Sequence, residues 1–181
     1  MMRSLPFPWV MLIALVLQVV LFRFGTFWGG YGLLAVHVYG LLRMPFGWPP
    51  VSYLLVGSAV GFLMDVACFT GGMHLAAGAT LGMAYPSMMR AVEQRDGLRP
   101  GHVMGAFEDG WGRYATFVAV GVGMHWLVMF GLQNGSGLVG RTLGQTLAST
   151  ALNTGVFLLL QGLTNRPRRQ SGGSNSAYPW G

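Results

Sequence analysis

The chain has 181 residues, is 52% hydrophobic and only 9% charged, and has a mean hydropathy of +0.50. Soluble domains carry about 25% charged residues, so an aqueous protein of this composition would expose large bare apolar surfaces. The composition excludes an ordinary soluble domain and predicts an all-α integral membrane protein. A hydrocarbon core needs roughly 20 apolar residues per helix, which leaves room for five or six spans.

The net charge of +6 comes from arginine alone, because the sequence contains no lysine. In a membrane protein such an excess reports topology and contact with anionic lipids. The arginines are scattered among apolar runs, so we do not predict nucleic-acid binding. A single cysteine, Cys68, excludes an internal disulfide and a cysteine metal cage.

Apolar runs predict one six-span domain over residues 1–164. The predicted spans cover about 5–22, 24–42, 51–69, 73–89, 113–132 and 138–163. The second run is short, so it crosses only if its helix starts near Phe24 or if the bilayer thins locally. The polar segment 90–112 repeats Val103, Phe107 and Trp111 every four residues, which fits either a short helix on the membrane surface or a plain loop.

The arginines predict the orientation. Six spans place nine of the eleven on one side, which the positive-inside rule makes cytoplasmic, together with both termini. If residues 24–42 do not cross the membrane, the N-terminus with Arg3 moves outside and Arg23 moves inside. The arginines then again divide nine to two. In the six-span arrangement the nine are Arg3, Arg43, Arg90, Arg95, Arg99, Arg113, Arg166, Arg168 and Arg169. The Ser- and Gly-rich residues 165–181 predict a disordered cytoplasmic tail.

Residues 57–90 predict a helical hairpin in which two apolar runs flank a Thr-Gly-Gly turn. Each run carries two glycines four residues apart, which let helix backbones approach closely, either within the bundle or against a partner. The glycines of the turn and of the two runs are Gly71, Gly72, Gly57, Gly61, Gly78 and Gly82.

Asp65 lies in the first run of the hairpin, five residues before Thr70. An aspartate at the centre of a membrane helix costs about 2.5–3.5 kcal/mol, so it needs hydrogen-bond donors. The candidates are His74, the backbone amides of the turn, His125 and Arg141. Because no second carboxylate lies nearby, we interpret Asp65 as a structural carboxylate that pins the turn rather than as a proton or cation site.

Three histidines, His37, His74 and His125, lie in different predicted spans, and none is three or four residues from another ligand. The pattern favours core histidines over metal ligands, and we predict no metal and no cofactor. The sequence also lacks a nucleophile elbow, an HExxH motif, a phosphate loop and paired carboxylates. We therefore predict that the protein is not an enzyme.

The last span carries a polar stripe, in which Arg141, Gln145, Ser149 and Asn153 recur every four residues. Residues four apart share one helix face. Such a face has to point into the bundle, into a water-filled cavity or at another protein's helix. The stripe therefore indicates either internal hydrogen bonding or a small-molecule pocket or partner groove.

The hairpin shows an ordered pattern: a GxxxD helix, a glycine turn and a small-residue helix that ends in arginine. The pattern is carried by residues 61–66, the turn with His74, residues 76–77 and Arg90. This pattern resembles MreD, the small membrane member of the bacterial rod-shape (elongation) machinery, and looks closest to its Bacteroidetes-like variant. The resemblance covers most of residues 10–163. Its weaker support comes from Leu17-Gln18, Pro45, Pro49-Pro50, His125 with Phe130, and Ser149-Thr150.

The resemblance implies a non-enzymatic scaffold of the bacterial inner membrane. Family members sit with MreC, near RodA and its class B penicillin-binding protein and near MreB. The fold is similar to the six-helix substrate-binding subunits of energy-coupling-factor transporters, which makes vitamin capture the alternative function. Such subunits dock through small residues of the first helix, whereas only Ala14 is small in the row of Val10, Ala14 and Gln18. Such subunits also cover their ligand with long outer loops, whereas the corresponding connections of this chain, 69–73 and 133–138, are short.

Overall fold

The computed structural model describes residues 6–22, 26–92, 97 and 99–164. The described chain is all-α apart from one short hairpin, and it contains seven helices. They are α1 (Phe7–Phe22), α2 (Val36–Leu41), α3 (Pro50–Cys68), α4 (Met73–Ala91), α5 (Ala106–Asp109), α6 (Trp111–Asn134) and α7 (Val139–Thr164). The hairpin pairs β1 (Thr26–Phe27) with β2 (Gly32–Leu33), and 3₁₀ turns cover Trp28–Gly30 and Ser136–Leu138.

Three helices are long and apolar enough to cross a membrane: α3, α6, and α7 together with the 3₁₀ turn before it. These helices and the composition fit a multi-pass membrane protein. Helix α1 is also apolar but has 16 residues, and α4 has 19 residues with Arg90 in its last turn.

Long helices occupy five of the six predicted positions, but the second differs. Within residues 26–42 only Val36–Leu41 form an α-helix, so the prediction of a continuous helix there is wrong. The physical reason is the glycine content: Gly29 and Gly30 have φ of +64° and +90°, outside the helical region, and the chain folds back as the β1–β2 hairpin. Residues 24 and 25 lie outside the described residues.

The polar segment after α4 forms one helical turn, α5, and not a longer surface helix. Gly110, with φ of +91°, separates this turn from α6. The rings of Phe107 and Trp111 nevertheless meet edge to face across the break, with centroids 5.2 Å apart. The predictions for the tail at 165–181 and for six arginines lie outside the described residues: Arg3, Arg23, Arg95, Arg166, Arg168 and Arg169.

Helices α3 and α4 form an antiparallel hairpin whose backbones touch. A methyl group added at Gly57 would overlap the carbonyl oxygen of Gly78, and one at Gly61 would overlap that of His74. A methyl group at Gly82 would meet the carbonyl oxygen of Tyr53 in the same way. The glycine pairs therefore face each other inside the hairpin, where they allow an approach that any side chain would prevent.

Two tyrosines of the hairpin hold the connection between α2 and α3. The Tyr85 hydroxyl donates to the carbonyl oxygens of Met44 and Leu42 at 2.5 and 3.2 Å. The Tyr53 hydroxyl donates to the carbonyl oxygen of Pro45 at 2.9 Å and accepts from the Trp48 backbone N–H. The chain leaving α2 is thus tied to the far end of the hairpin from its turn.

Replacing Gly57 by Ala should destabilise the protein, because the new methyl group meets backbone and the two helices have to move apart. We expect a loss of about 2–3 kcal/mol, within the usual range for an overpacked site. Thermal unfolding in detergent measures it. Gly155→Ala is the matched control, since nothing lies within 4 Å of that position, and it should be neutral or stabilising. Equal losses for both variants would contradict the close packing.

Candidate functional site

Residues 30–35, here called the unwound segment, contain no α-helix and lie beside α7. The Gln145 amide donates to the carbonyl oxygen of Gly30 at 3.1 Å. Ser149 accepts from the Leu33 N–H at 3.0 Å and donates to the carbonyl oxygen of Tyr31 at 3.1 Å. Gln145 and Ser149 of the polar stripe thus contact the unwound segment. Asn153 is the third residue of the stripe that does so.

Asn153 makes the most complete of these contacts. Its side-chain oxygen accepts from the Ala35 N–H at 2.7 Å, and its amide donates to the carbonyl oxygen of Leu33 at 2.6 Å. Asn153 and Ala35 are both fully buried. A primary amide matches one backbone donor and one acceptor, so Asn153 replaces the partner that a helix or a neighbouring strand would provide.

Gln18 of α1 contacts the unwound segment from the other side. Its amide donates to the carbonyl oxygen of Leu34 at 3.1 Å, and its side-chain oxygen accepts from the Val36 N–H. Gln18 is buried, with 4% of its surface exposed. The two helices therefore satisfy the backbone groups of the segment alternately, which is what non-helical chain requires inside an apolar medium.

The unwound segment and α2 run alongside α7 and parallel to it. Gly30 lies at Gln145, Leu33 at Ser149 and Asn153, and the Tyr39 hydroxyl accepts from Gln161 at 3.3 Å. By helical rise this stretch of α7 measures roughly 24 Å. The short helix and the unwound segment together therefore extend along most of the length of α7.

Other members of the predicted polar face lie elsewhere. Arg141 is exposed and contributes to none of these bonds. Asn134, at the end of α6, donates to Thr142 at 3.1 Å and to the Gln145 side-chain oxygen at 2.7 Å, and so orients the Gln145 amide toward Gly30. Within the described residues, the neighbouring hydroxyls of Thr146, Thr150 and Thr154 have no hydrogen-bond partner.

Asp65 caps the start of α4 across the hairpin turn. One carboxylate oxygen accepts from the His74 N–H at 3.0 Å and from the Thr70 hydroxyl at 2.5 Å. The other accepts from the Leu75 N–H at 2.8 Å. The first amides of a helix lack partners within it, so a carboxylate placed there satisfies them and complements the helix dipole. The hydroxyl donor, Thr70, lies in the predicted turn, whereas the two backbone donors, His74 and Leu75, lie just beyond it, and Arg141 is not among the donors.

The turn itself needs left-handed backbone. Gly71 and Gly72 have φ of +62° and +92°, and Phe69 at the end of α3 has φ of +55° with 94% of its surface exposed. Glycine adopts these angles without strain. At the other end of α4, Arg90 is exposed and donates to the carbonyl oxygen of Pro86 at 3.3 Å, so it lies far along the helix from Asp65.

The three histidines, here called the histidine cluster, come together although they lie on different helices. The ring centroids of His37 and His125 are 5.1 Å apart, those of His37 and His74 5.5 Å, and those of His74 and His125 6.2 Å. All three are buried. The His74 Nδ1 also lies 2.7 Å from the Thr70 hydroxyl and 3.4 Å from Asp65, which links the cluster to the turn.

Spacing along the sequence could not reveal this cluster, because no two of its members share a helix. Among the described residues, no three His, Cys, Asp or Glu side chains form a group that could hold a metal ion. The hydrogen bonds of the buried polar side chains brace the bundle internally.

Comparisons of the chain with protein-family models, with curated proteins and with solved structures found no match.

Sequence reasoning missed two members of this bracing. Gln18 is the only polar side chain in the first predicted span, and such an isolated amide is a usable signal for an internal partner. Asn134 belongs to the short 133–138 connection, and nothing in its neighbourhood along the sequence indicates that it orients Gln145.

Asn153→Leu should destabilise the protein by about 2–4 kcal/mol, since it leaves the Ala35 N–H and the Leu33 carbonyl oxygen buried without partners. The control is Thr150→Val on the same helix, which removes a hydroxyl that has no partner and should change stability by less than about 0.5 kcal/mol. Thermal unfolding in detergent measures both. Similar losses for the two variants would mean that the contacts of Asn153 are not made.

Asp65→Leu should loosen the hairpin more than Asp65→Asn, because Asn keeps one acceptor for the same donors and Leu keeps none. We expect a loss of about 2–5 kcal/mol for Leu and a smaller one for Asn. Melting temperatures in detergent test the order of wild type, Asn and Leu. An Asn variant as unstable as the Leu variant would refute the capping role.

Proposed function

We propose that this chain is a non-enzymatic membrane scaffold. The observation that carries the proposal is that Gln145, Ser149 and Asn153, the polar side chains best placed to bind a solute, bond to the protein's own backbone. Side chains used in this way fix the shape of the bundle. A protein with a fixed shape and broad apolar flanks is suited to hold other membrane helices in place.

We further propose that the chain crosses the membrane six times. Five crossings are the helices α1, α3, α4, α6 and α7, and the second crossing is the unwound segment continued by α2. Two contacts support this arrangement. Gly40 in α2 lies against Met11 in α1, and the rings of Phe7 and Trp48 meet at 5.6 Å, so α1 begins near the end of the second crossing. In this arrangement both termini are cytoplasmic.

The proposed class is that of MreD, in the bacterial inner membrane. Its support is the ordered hairpin pattern of Asp65, the glycine turn and the small-residue helix, whose parts are in direct contact: the carboxylate caps the helix and the glycines join the two backbones. The proposed direct partner is MreC. RodA with its class B penicillin-binding protein, and MreB, would be further members of the assembly.

Vitamin capture by a transporter subunit is the competing function. It needs polar side chains that are free to bind a solute, but three of the four residues of the polar stripe contact the unwound segment. Two surface depressions of the bundle have apolar walls, one formed by α1 and α3 and the other by Trp111 and α7. Neither is lined by residues of the stripe, so no specific contact favours a polar solute.

The scaffold proposal is tested by co-purification and depletion in the source bacterium. Tagged protein should recover MreC from detergent-solubilised membranes, and an unrelated multi-pass protein with the same tag should not. Depletion should round rod-shaped cells, and the wild-type gene should restore them. Normal shape after depletion, with no MreC recovered, would refute the proposal. Stabilisation of the purified protein by a vitamin in a thermal-shift screen would support the competing function.

A further inference from the structure

The histidine cluster joins three elements at one point. His37 follows Val36, whose N–H is bonded to Gln18, so it lies where the unwound segment becomes helix. His74 begins α4 next to the turn, and His125 lies in the middle of α6. Ring contacts of 5.5 and 5.1 Å from His37 therefore tie α2 to α4 and to α6.

These imidazoles pack as neutral rings. Both ring nitrogens of His37 and both of His125 are buried, with no hydrogen-bond partner among the described residues. A buried polar group without a partner costs stability and calls for an explanation. His37 and His125 cannot carry charge in this arrangement, because two imidazolium ions in contact repel and a single one would be a buried charge with no acceptor at either nitrogen.

The surroundings of the cluster offer little compensation. From α3 it faces Asp65, whose carboxylate lies 3.4 Å from the His74 Nδ1 and is a counter-charge for that ring, but gives no partner to the nitrogens of His37 or His125. Helix α1 contains no titratable residue, and α7 contains only the exposed Arg141. The tyrosines of α3 and α4 bond to the connection at the other end of the hairpin.

We propose that the histidine cluster is a proton-operated catch, in which proton uptake releases α2 from α4 and α6. In an opened bundle the three rings are ordinary imidazoles that titrate near pH 6.5. Each ring that has to stay neutral in the closed bundle then favours opening by about tenfold at one pH unit below 6.5. The closed state is therefore stable above this pH and weakens as the pH falls. This inference does not depend on the scaffold role.

Hydrogen exchange of the purified protein in lipid nanodiscs tests the catch. Exchange rates of the amides in residues 36–41, corrected for the intrinsic effect of pH, are compared at about pH 7.5 and about pH 5.5. For the wild type we expect an increase of about tenfold per imidazole at the lower pH, with no such change in the middle of α3. Unchanged exchange in residues 36–41 would overturn the proposal, whatever the variants do.

The variants separate the cluster from other histidines. His37→Phe with His125→Phe keeps two buried rings and removes the nitrogens without partners, so it should melt at or above the wild-type temperature near pH 7.5 and lose most of the pH effect. His102→Gln alters the remaining histidine, which pairs with Asp109 at 2.9 Å outside the cluster, and should retain the effect. If the Phe variant does not fold, His125→Phe alone should reduce the effect.

Zn²⁺ provides the last arm of the test. Added at about pH 7.5, it should leave the melting temperature of the wild type unchanged, since the proposed ligand of the cluster is a proton. A stabilisation by Zn²⁺ that the Phe variant lacks would overturn the catch and assign the cluster to a metal instead.

Discussion

The structure depends on how one stretch of peptide backbone is hydrogen-bonded where water is excluded. Residues 30–35 contain no α-helix and only one strand of a two-residue pair, yet they lie between α1 and α7. Polar groups of the main chain cost several kcal/mol when they are buried in an apolar medium without partners. Gln18, Gln145, Ser149 and Asn153 provide those partners, and their positions on two helices fix the path of the segment.

The same principle explains the hairpin. Asp65 accepts from the first amides of α4, which no residue of that helix could satisfy, and the glycine pairs allow the two backbones to lie close enough for this contact. The few polar residues of this apolar chain therefore hydrogen-bond to backbone groups at helix ends and in non-helical segments. Their contacts explain why a bundle with so few charges has a defined shape.

Much of this could be predicted from the sequence, and the remainder has identifiable reasons. Apolar length alone places α1, α3, α4, α6 and α7, because helices in lipid satisfy their backbone locally. Residues 26–35 escape the same reasoning, since glycines and apolar side chains there look like a short helix and their partners lie more than 100 residues further along the chain. The histidine cluster is hidden in the same way. Asp65 was predictable as a structural carboxylate that pins the turn, but its partners are the amides of His74 and Leu75 rather than those of the turn.

The central claim is that α1 and α7 bond to the unwound segment inside the bundle. Its most direct measurement is the exchange protection of the Leu33, Ala35 and Val36 amides in nanodiscs near pH 7.5, in the wild type and in Ser149→Ala. We predict slow exchange at all three in the wild type, comparable to that of helical amides in α3, and a selective loss at Leu33 in the variant. Exchange as fast as that of an exposed loop in the wild type would contradict the account.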